Sequence, residues 1–300
     1  MIAEAIADRA PGHDWWRQYL PAAVMLGPLV VFLIAFYIVP FGVMLEESLQ
    51  WWQGDTPPAG ADAMTLHQYE KTFESSRSSR AIIRTLRISA FSVLFSFLLS
   101  YPVALLLLRV GRQLRSAILL ITFISLAASL IVRNYGWLVV LADQGPVNNI
   151  LVWLGVFDYP QRMVYNEWAI VIALVHYSLP FMILPIYGSL LRIPASHWEA
   201  PRTLGAGVWR SLGTVILPLS MPGIFGGTML SFAVCMSAFV TPLMLGSPST
   251  AMVSQVAAEQ LLVQLNFAWG SAIIFVLTAV TFVIVLIYAL LVRRVMRVHV

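Results

Sequence analysis

Long apolar stretches separated by short polar ones dominate the chain. Charge-free runs lie between Arg17 and Glu46, Arg87 and Arg109, Arg115 and Arg133, Glu167 and Arg192, Arg210 and Glu259, and Glu259 and Arg293. A helix that crosses a bilayer needs about 20 apolar residues, and each run holds one. The pattern therefore predicts six spans, at about 20–45, 85–108, 116–141, 168–191, 214–240 and 268–292. Without water the backbone must satisfy its own hydrogen bonds, which favours helices over irregular segments. The runs are too long and too continuous for barrel strands. The second half of the fifth run breaks the pattern. Ser249, Thr250, Ser254, Gln255, Glu259, Gln260 and Gln264 make it too polar for lipid, so 241–267 is read as an outer segment with an amphipathic or re-entrant helix.

Composition supports an integral membrane chain. Hydrophobic residues make up 59% and charged residues 11%, with a mean hydropathy of +0.82; ordinary soluble domains do not look like this. The net charge of +4 follows the membrane and is no sign of nucleic-acid binding. With both termini inside, eleven of the 18 Lys and Arg fall on inner segments. The other seven lie mostly in one long outer loop, which counts less toward orientation. The organisation expected is a cytoplasmic N-terminal tail (1–17), a six-span membrane domain (18–292) with an inner loop at 192–213, and a cytoplasmic C-terminal tail (293–300). Glu4, Asp8 and Asp14, followed by a long apolar run, do not fit a cleavable signal.

Several chemistries find no residues to carry them. The only lysine, Lys71, has no glycine loop around it, so the chain itself has no Walker A nucleotide site. His13, His67, His176, His197 and His299 are scattered, and no metal site is expected. Cys235 reads as a small buried hydrophobe. No polar catalytic cluster, as a membrane-embedded enzyme would need, lies in the spans. No Asp or Glu falls inside any of the six cores. Ion-coupled carriers usually keep such costly groups for function.

The inner loop is the conspicuous polar feature. Ser196-His197-Trp198-Glu199 fits a capping box, so a short helix should begin there. Gly205 and Gly207 should end it, since glycine adopts positive φ without steric cost. A second short helix, Val208–Leu212, should lead into the fifth span. Pro201 should delay or kink the first helix. Together these segments predict a compact helical knob outside the membrane, able to move as a rigid body with a partner.

The stretch from Glu199 to Pro218, EAPRTLGAGVWRSLGTVILP, resembles the EAA loop of ABC importer permeases, which docks into a partner ATPase. The resemblance rests on Glu199, Ala200, Gly205, Leu217 and Pro218; Pro201 stands where the family usually has a second alanine. Four more segments resemble the spermidine/putrescine-type branch: Leu130–Trp137, Gln144–Asn148, His176–Pro185, and Ala238–Pro242 with Leu245-Gly246.

The resemblance implies an all-α, six-span, type I ABC importer permease of the bacterial inner membrane, with a cytoplasmic coupling-helix loop. It implies two ATPase subunits that use ATP and Mg²⁺, a second and distinct permease subunit, and a periplasmic binding protein; this chain itself would bind no cofactor. Polyamine import by alternating access is the expected activity. Another small organic solute or cation (an amino-acid-like compound, thiamine or iron) or a secondary carrier stays open as the alternative. At an outer span end, Arg133 and Asn134 can gate or anchor. Tyr135, Trp137, Tyr177 and Phe239 can offer cation–π faces to an amine. Pro180, beside Phe181, frees a backbone carbonyl that can line a path. Glu259 at an outer mouth can attract cations. With so few intramembrane charges, selectivity should sit mainly in the binding protein or the partner permease.

Overall fold

The computed structural model describes residues 15–52, 55, 64–203, 205 and 207–298. Most of the expected N-terminal tail lies outside the described residues, and the chain is already helical from Trp15. Helix α1 (Trp15–Leu33) passes through a π-helical turn, Ile34–Ile38, into α2 (Val39–Ser48). An outer segment carries α3 (His67–Glu74). Then come α4 (Ser76–Arg109), α5 (Arg112–Ala127), α6 (Leu130–Val140), α7 (Pro146–Trp153) and α8 (Glu167–Leu190). The remaining helices are α9 (Ala195–Thr203), α10 (Val208–Ser211), α11 (Leu217–Met236), α12 (Val240–Leu245), α13 (Val253–Leu262) and α14 (Phe267–Val298). The C-terminal tail expected at 293–300 continues α14 to Val298.

Five helical stretches among the described residues are long and apolar enough to cross a membrane: Val24–Ser48, Ser76–Arg109, Glu167–Leu190, Val208–Met236 and Phe267–Arg294. A sixth exists only if α5 and α6, bent by 104° at their junction, count as one span. The straight third span expected over 116–141 is thus corrected to a broken one. No proline or glycine marks the break. Ala128 and Ser129 adopt extended ψ angles of 135° and 131°. The Arg133 guanidinium folds back to donate to the carbonyls of Ser125 and Ala128 at the end of α5. A bend in a low-dielectric setting leaves carbonyls without partners unless something donates to them. Arg133, expected to mark the end of an apolar run, supplies those donors.

Helix α8 lies at the centre. It is apolar on every side, as a helix enclosed by others should be, and 61% of its apolar window is buried; the corresponding figure for the first span is 0%. On α4, Thr85, Ser89, Ser92, Ser96 and Ser100 fall on one face at spacings of three and four, and all are fully buried. Small hydroxyl residues let neighbouring backbones approach closely. Helix α11 closes on α8 even more tightly. A Cβ built at Gly223 would lie 2.4 Å from the Pro185 carbonyl oxygen and 2.5 Å from the Ser189 Cβ.

Polar contacts tie together the end of the bundle opposite the knob. Asp55 accepts hydrogen bonds from Gln68 Nε2 at 2.6 Å, Lys71 Nζ at 3.0 Å and the Trp52 amide at 3.3 Å. Lys71 Nζ also sits 4.9 Å from the centre of the Trp269 ring, and Trp269 Nε1 donates to Thr72 Oγ1 at 3.1 Å. Helix α3 is thereby clamped to α14. Glu167, in the first turn of α8, receives Arg84 at 3.2 Å and Arg87 at 2.5 Å. The expected amphipathic outer segment is α12 with α13, whose Val253, Val256 and Ala257 are buried.

Two predictions follow from these contacts. Gly223→Ala inserts a methyl group where backbone already stands, and should lower stability by about 1–3 kcal/mol. Gly188→Ala, on α8 with open space around it, should not; thermal melting of the two variants in one detergent tests the contrast. Burial pushes the Asp55 carboxyl up, but hydrogen bonds from Lys71 and Gln68 outweigh it and hold the group below its ordinary value of 3.8. A depressed carboxylate stabilises the fold above its unfolded value and loses that contribution as pH falls through the folded one. The stability advantage of the wild type over Asp55→Asn should hold at neutral pH and vanish as the medium is acidified below 3.8, read as melting temperature against pH.

Candidate functional site: a helical knob and a cluster at the bent helix

The knob is built from α9, α10 and the π-helical turn Leu212–Ile216 that leads into α11. Helix α9 begins at Ala195, one residue before Ser196, and the His197 amide bonds to the Pro194 carbonyl at 3.0 Å. Ser196 therefore lies inside the helix. The expected capping box does not form, and the Ser196 hydroxyl lies 3.4 Å from His197 Nδ1 instead. Pro201 neither delays nor ends α9, which runs on to Thr203. The proline removes only the bond to the His197 carbonyl, near the end of a nine-residue helix.

The chain reverses at Gly205, where φ is +78° and no atom lies within 4 Å of a Cβ position. Glycine is needed there for backbone conformation and not for space. Glu199 is exposed, Pro201 is half-buried, and Ala200 lies between them in the same helix. Leu217 and Trp198 pack on the buried cluster around Ile216 and Leu190, which fixes the knob to the bundle. Pro218 sits in the first turn of α11. Trp209, at the knob's tip, is 85% exposed.

The second assembly forms where α6, α8 and α12 meet. The Arg133 guanidinium carbon lies 5.2 Å from the centre of the Tyr177 ring. Trp137 Nε1 donates to His176 Nδ1 at 3.1 Å. Tyr177 meets Phe181 edge-on at 5.9 Å, and Pro180 is buried between them on α8. Asn134 is 1% exposed. Its Oδ1 accepts from Thr241 Oγ1 at 3.3 Å, while its Nδ2 has no partner. Arg133, Asn134, Trp137, Tyr177, Pro180 and Phe181 thus come together.

Tyr135 does not join them and is 63% exposed. Phe239 and Glu259 line a separate cleft of about 390 Å³, with Arg77, Pro242 and Gln255. There Glu259 is held in a two-pronged pair by Arg77. The cleft and the cluster adjoin through α12, since Phe239 caps that helix and Thr241 reaches Asn134. His176, Thr241 and Arg77 were not singled out from the sequence. His176 neighbours Tyr177 and was within reach; Arg77 and Glu259 stand 182 residues apart, and no local signal joins them.

A bundle of membrane-length helices with a short helical knob between two of them defines the class: an integral, all-helical membrane protein. Residues 96–297 match the family of binding-protein-dependent transport system inner membrane components, which is more than half of the chain, and the chain belongs to that family. It is similar to the spermidine/putrescine transport system permease protein PotB of Haemophilus influenzae, with 29% identity over 85% of this chain and 88% of that protein. The Escherichia coli K12 protein of the same name is 30% identical over 88% of this chain and 95% of its own. Among solved structures, a bacterial ABC transporter that imports the polysaccharide alginate shares the fold, with a TM-score of 0.76 at 19% identity over 93% of this chain and 97% of that one. The all-α permease architecture is therefore the one expected. This chain is a non-catalytic permease subunit, and ATP hydrolysis belongs to a separate chain.

Removing the Arg133 guanidinium leaves the end of α5 unsatisfied. Arg133→Ala should destabilise the chain by about 2 kcal/mol, the scale of a lost hydrogen bond to a charged group. Arg133→Lys should recover part of that loss. Melting of the two variants beside wild type tests this, and equal curves for all three would exclude the capping role.

Proposed function

We propose that this chain is the translocating subunit of an ATP-driven importer for polyamines. The observation that carries the substrate class is the extent of similarity: permeases named for spermidine and putrescine align over 85–88% of the chain. In this reading the knob and both termini are cytoplasmic. Two ATPase subunits, holding ATP and Mg²⁺, grip the knob through Glu199, Ala200, Pro201 and Gly205, with Trp209 adding an apolar contact. Leu217 and Pro218 pass the motion to α11. A periplasmic binding protein docks on the outer end, and a second, distinct permease completes the pore. No cofactor is bound by this chain.

The cluster at the bent helix supplies a physical account of passage. The face of Tyr177 carries the Arg133 guanidinium, which occupies the position a substrate ammonium would take on the same ring. A polyamine entering from the outside competes for that face. Displacing Arg133 releases the carbonyls of Ser125 and Ala128, so cation entry is linked to the bend between α5 and α6. Trp137 and Phe181 extend the aromatic lining, and Asn134 offers a buried amide. Glu259, when released from Arg77, draws cations toward the outer cleft. ATP binding would open the spans outward and hydrolysis would reset them inward.

The test is uptake of labelled spermidine and putrescine by cells that express this chain with its partner subunits. Gly205→Asp should reduce uptake at least tenfold at unchanged membrane abundance, because a side chain at φ +78° distorts the knob. Tyr177→Ala should raise the KM for uptake about threefold to tenfold, the range of a partly desolvated cation–π contact, with the ATPase still stimulated by the binding protein. No polyamine uptake with stimulation intact would keep the permease role and overturn the substrate. Uptake insensitive to Gly205→Asp would overturn the coupling role of the knob.

A further inference from the structure

Two clefts meet at the root of the knob, where it faces the bundle. The larger, about 320 Å³, is lined by Leu108, Arg109, Leu190, Leu191, Ile193 and Trp198, among others. The smaller is bordered by Arg109 and Trp198 together with Val208 and Leu212. Arg109 and Trp198 thus stand between the two. Their level along the membrane normal follows from the helices. Arg109 is the last residue of α4 and Leu190 the last of α8, so the clefts open at the bilayer boundary on the knob side.

The charge there is uncompensated. Arg109 is exposed, and no carboxylate among the described residues pairs with it. The ion pairs of Arg77, Arg84 and Arg87 are all near the other end of α4, which is 34 residues long, or about 50 Å. Arg115, close by in sequence, is occupied: it donates to the carbonyls of Leu107, Leu108 and Val110. Arg192, just past α8, is exposed and likewise lacks a carboxylate.

An apolar wall, an unpaired arginine and a tryptophan at the boundary match one kind of occupant. Leu108, Leu191 and Ile193 can cover an acyl chain, Arg109 can hold a phosphate, and indoles favour the headgroup level. Basic pockets between membrane helices on the cytoplasmic side are suited to anionic headgroups. A free anion would leave the leucine walls unused.

We propose that this cleft binds an anionic phospholipid, with its phosphate on Arg109 and its glycerol region against Trp198. The lipid then fills the space between knob and bundle and steadies the knob against the helices it moves. This inference rests on the proposed coupling role and cytoplasmic side of the knob, and it stands apart from the choice of substrate.

The experiment uses the whole transporter, this chain with its partner subunits, in nanodiscs of phosphatidylcholine with or without phosphatidylglycerol. Tightly held lipid is counted by mass spectrometry after exchange into detergent. Wild type should retain about five times more phosphatidylglycerol than Arg109→Gln, the scale expected for one basic residue at an anionic surface, and Arg109→Lys should retain most of it. Because Arg109 is exposed and unpaired, melting of Arg109→Gln in pure phosphatidylcholine should match wild type. Equal retention by wild type and Arg109→Gln would overturn the proposal. So would inorganic phosphate displacing the retained phosphatidylglycerol in the same lipid count, which would assign the site to a free anion. Loss of ATPase subunits from Arg109→Gln in both lipids would assign the cleft to a protein contact and also overturn it.

Discussion

Inside a bilayer there is no water to take up a backbone carbonyl that a helix has let go, and most of this architecture answers to that condition. Helices that keep every bond internal run through the bundle. Where the chain must depart from the regular ladder, a substitute partner is found. At Ala128 and Ser129 the substitute is Arg133. The bend of 104° and the burial of an arginine solve the same problem, since the helix end needs donors and the guanidinium needs acceptors. Because that guanidinium also lies over Tyr177, the state of the bend and the surroundings of an aromatic face belong to a single arrangement.

The two ends of the molecule are held by different forces. Ion pairs and charge-assisted hydrogen bonds fasten the end opposite the knob, through Asp55, Lys71, Arg77, Glu167 and Glu259. The knob end is held by apolar packing of Trp198, Leu212 and Leu217 on the cluster around Ile216 and Leu190. Salt screens exposed pairs and leaves apolar contact largely untouched, so ionic strength acts selectively on the end away from the knob. Between them, α8 is enclosed and α11 lies against it without a side chain at Gly223. The knob is therefore joined to a stiff element.

Much of this was legible from the residues. Arginines and glutamates at the ends of apolar runs marked the fourth and sixth spans to within two residues, because desolvating a charge is costly wherever it falls. The family was legible in the stretch from Glu199 to Pro218. The bend was not, since Ala128 and Ser129 carry no breaking residue and an arginine at a span end ordinarily reaches for water. Pro201 misled in the other direction: local propensity argued for a late start, but one missing amide near the end of α9 does not stop the helix. Pairings such as Asn134 with Thr241, 107 residues apart, arise only from the packing of α6 against α12.

Gly205 shows how far a single backbone angle reaches. Its φ of +78° is combined with open space at the Cβ position, so the demand at that residue is one of handedness and not of size. A D-amino acid adopts this region as readily as an L-residue adopts its mirror image. D-alanine at position 205 would therefore fit the turn that L-alanine strains, although the two differ by nothing but reflection. The shape of this loop depends on the one amino acid that has no hand.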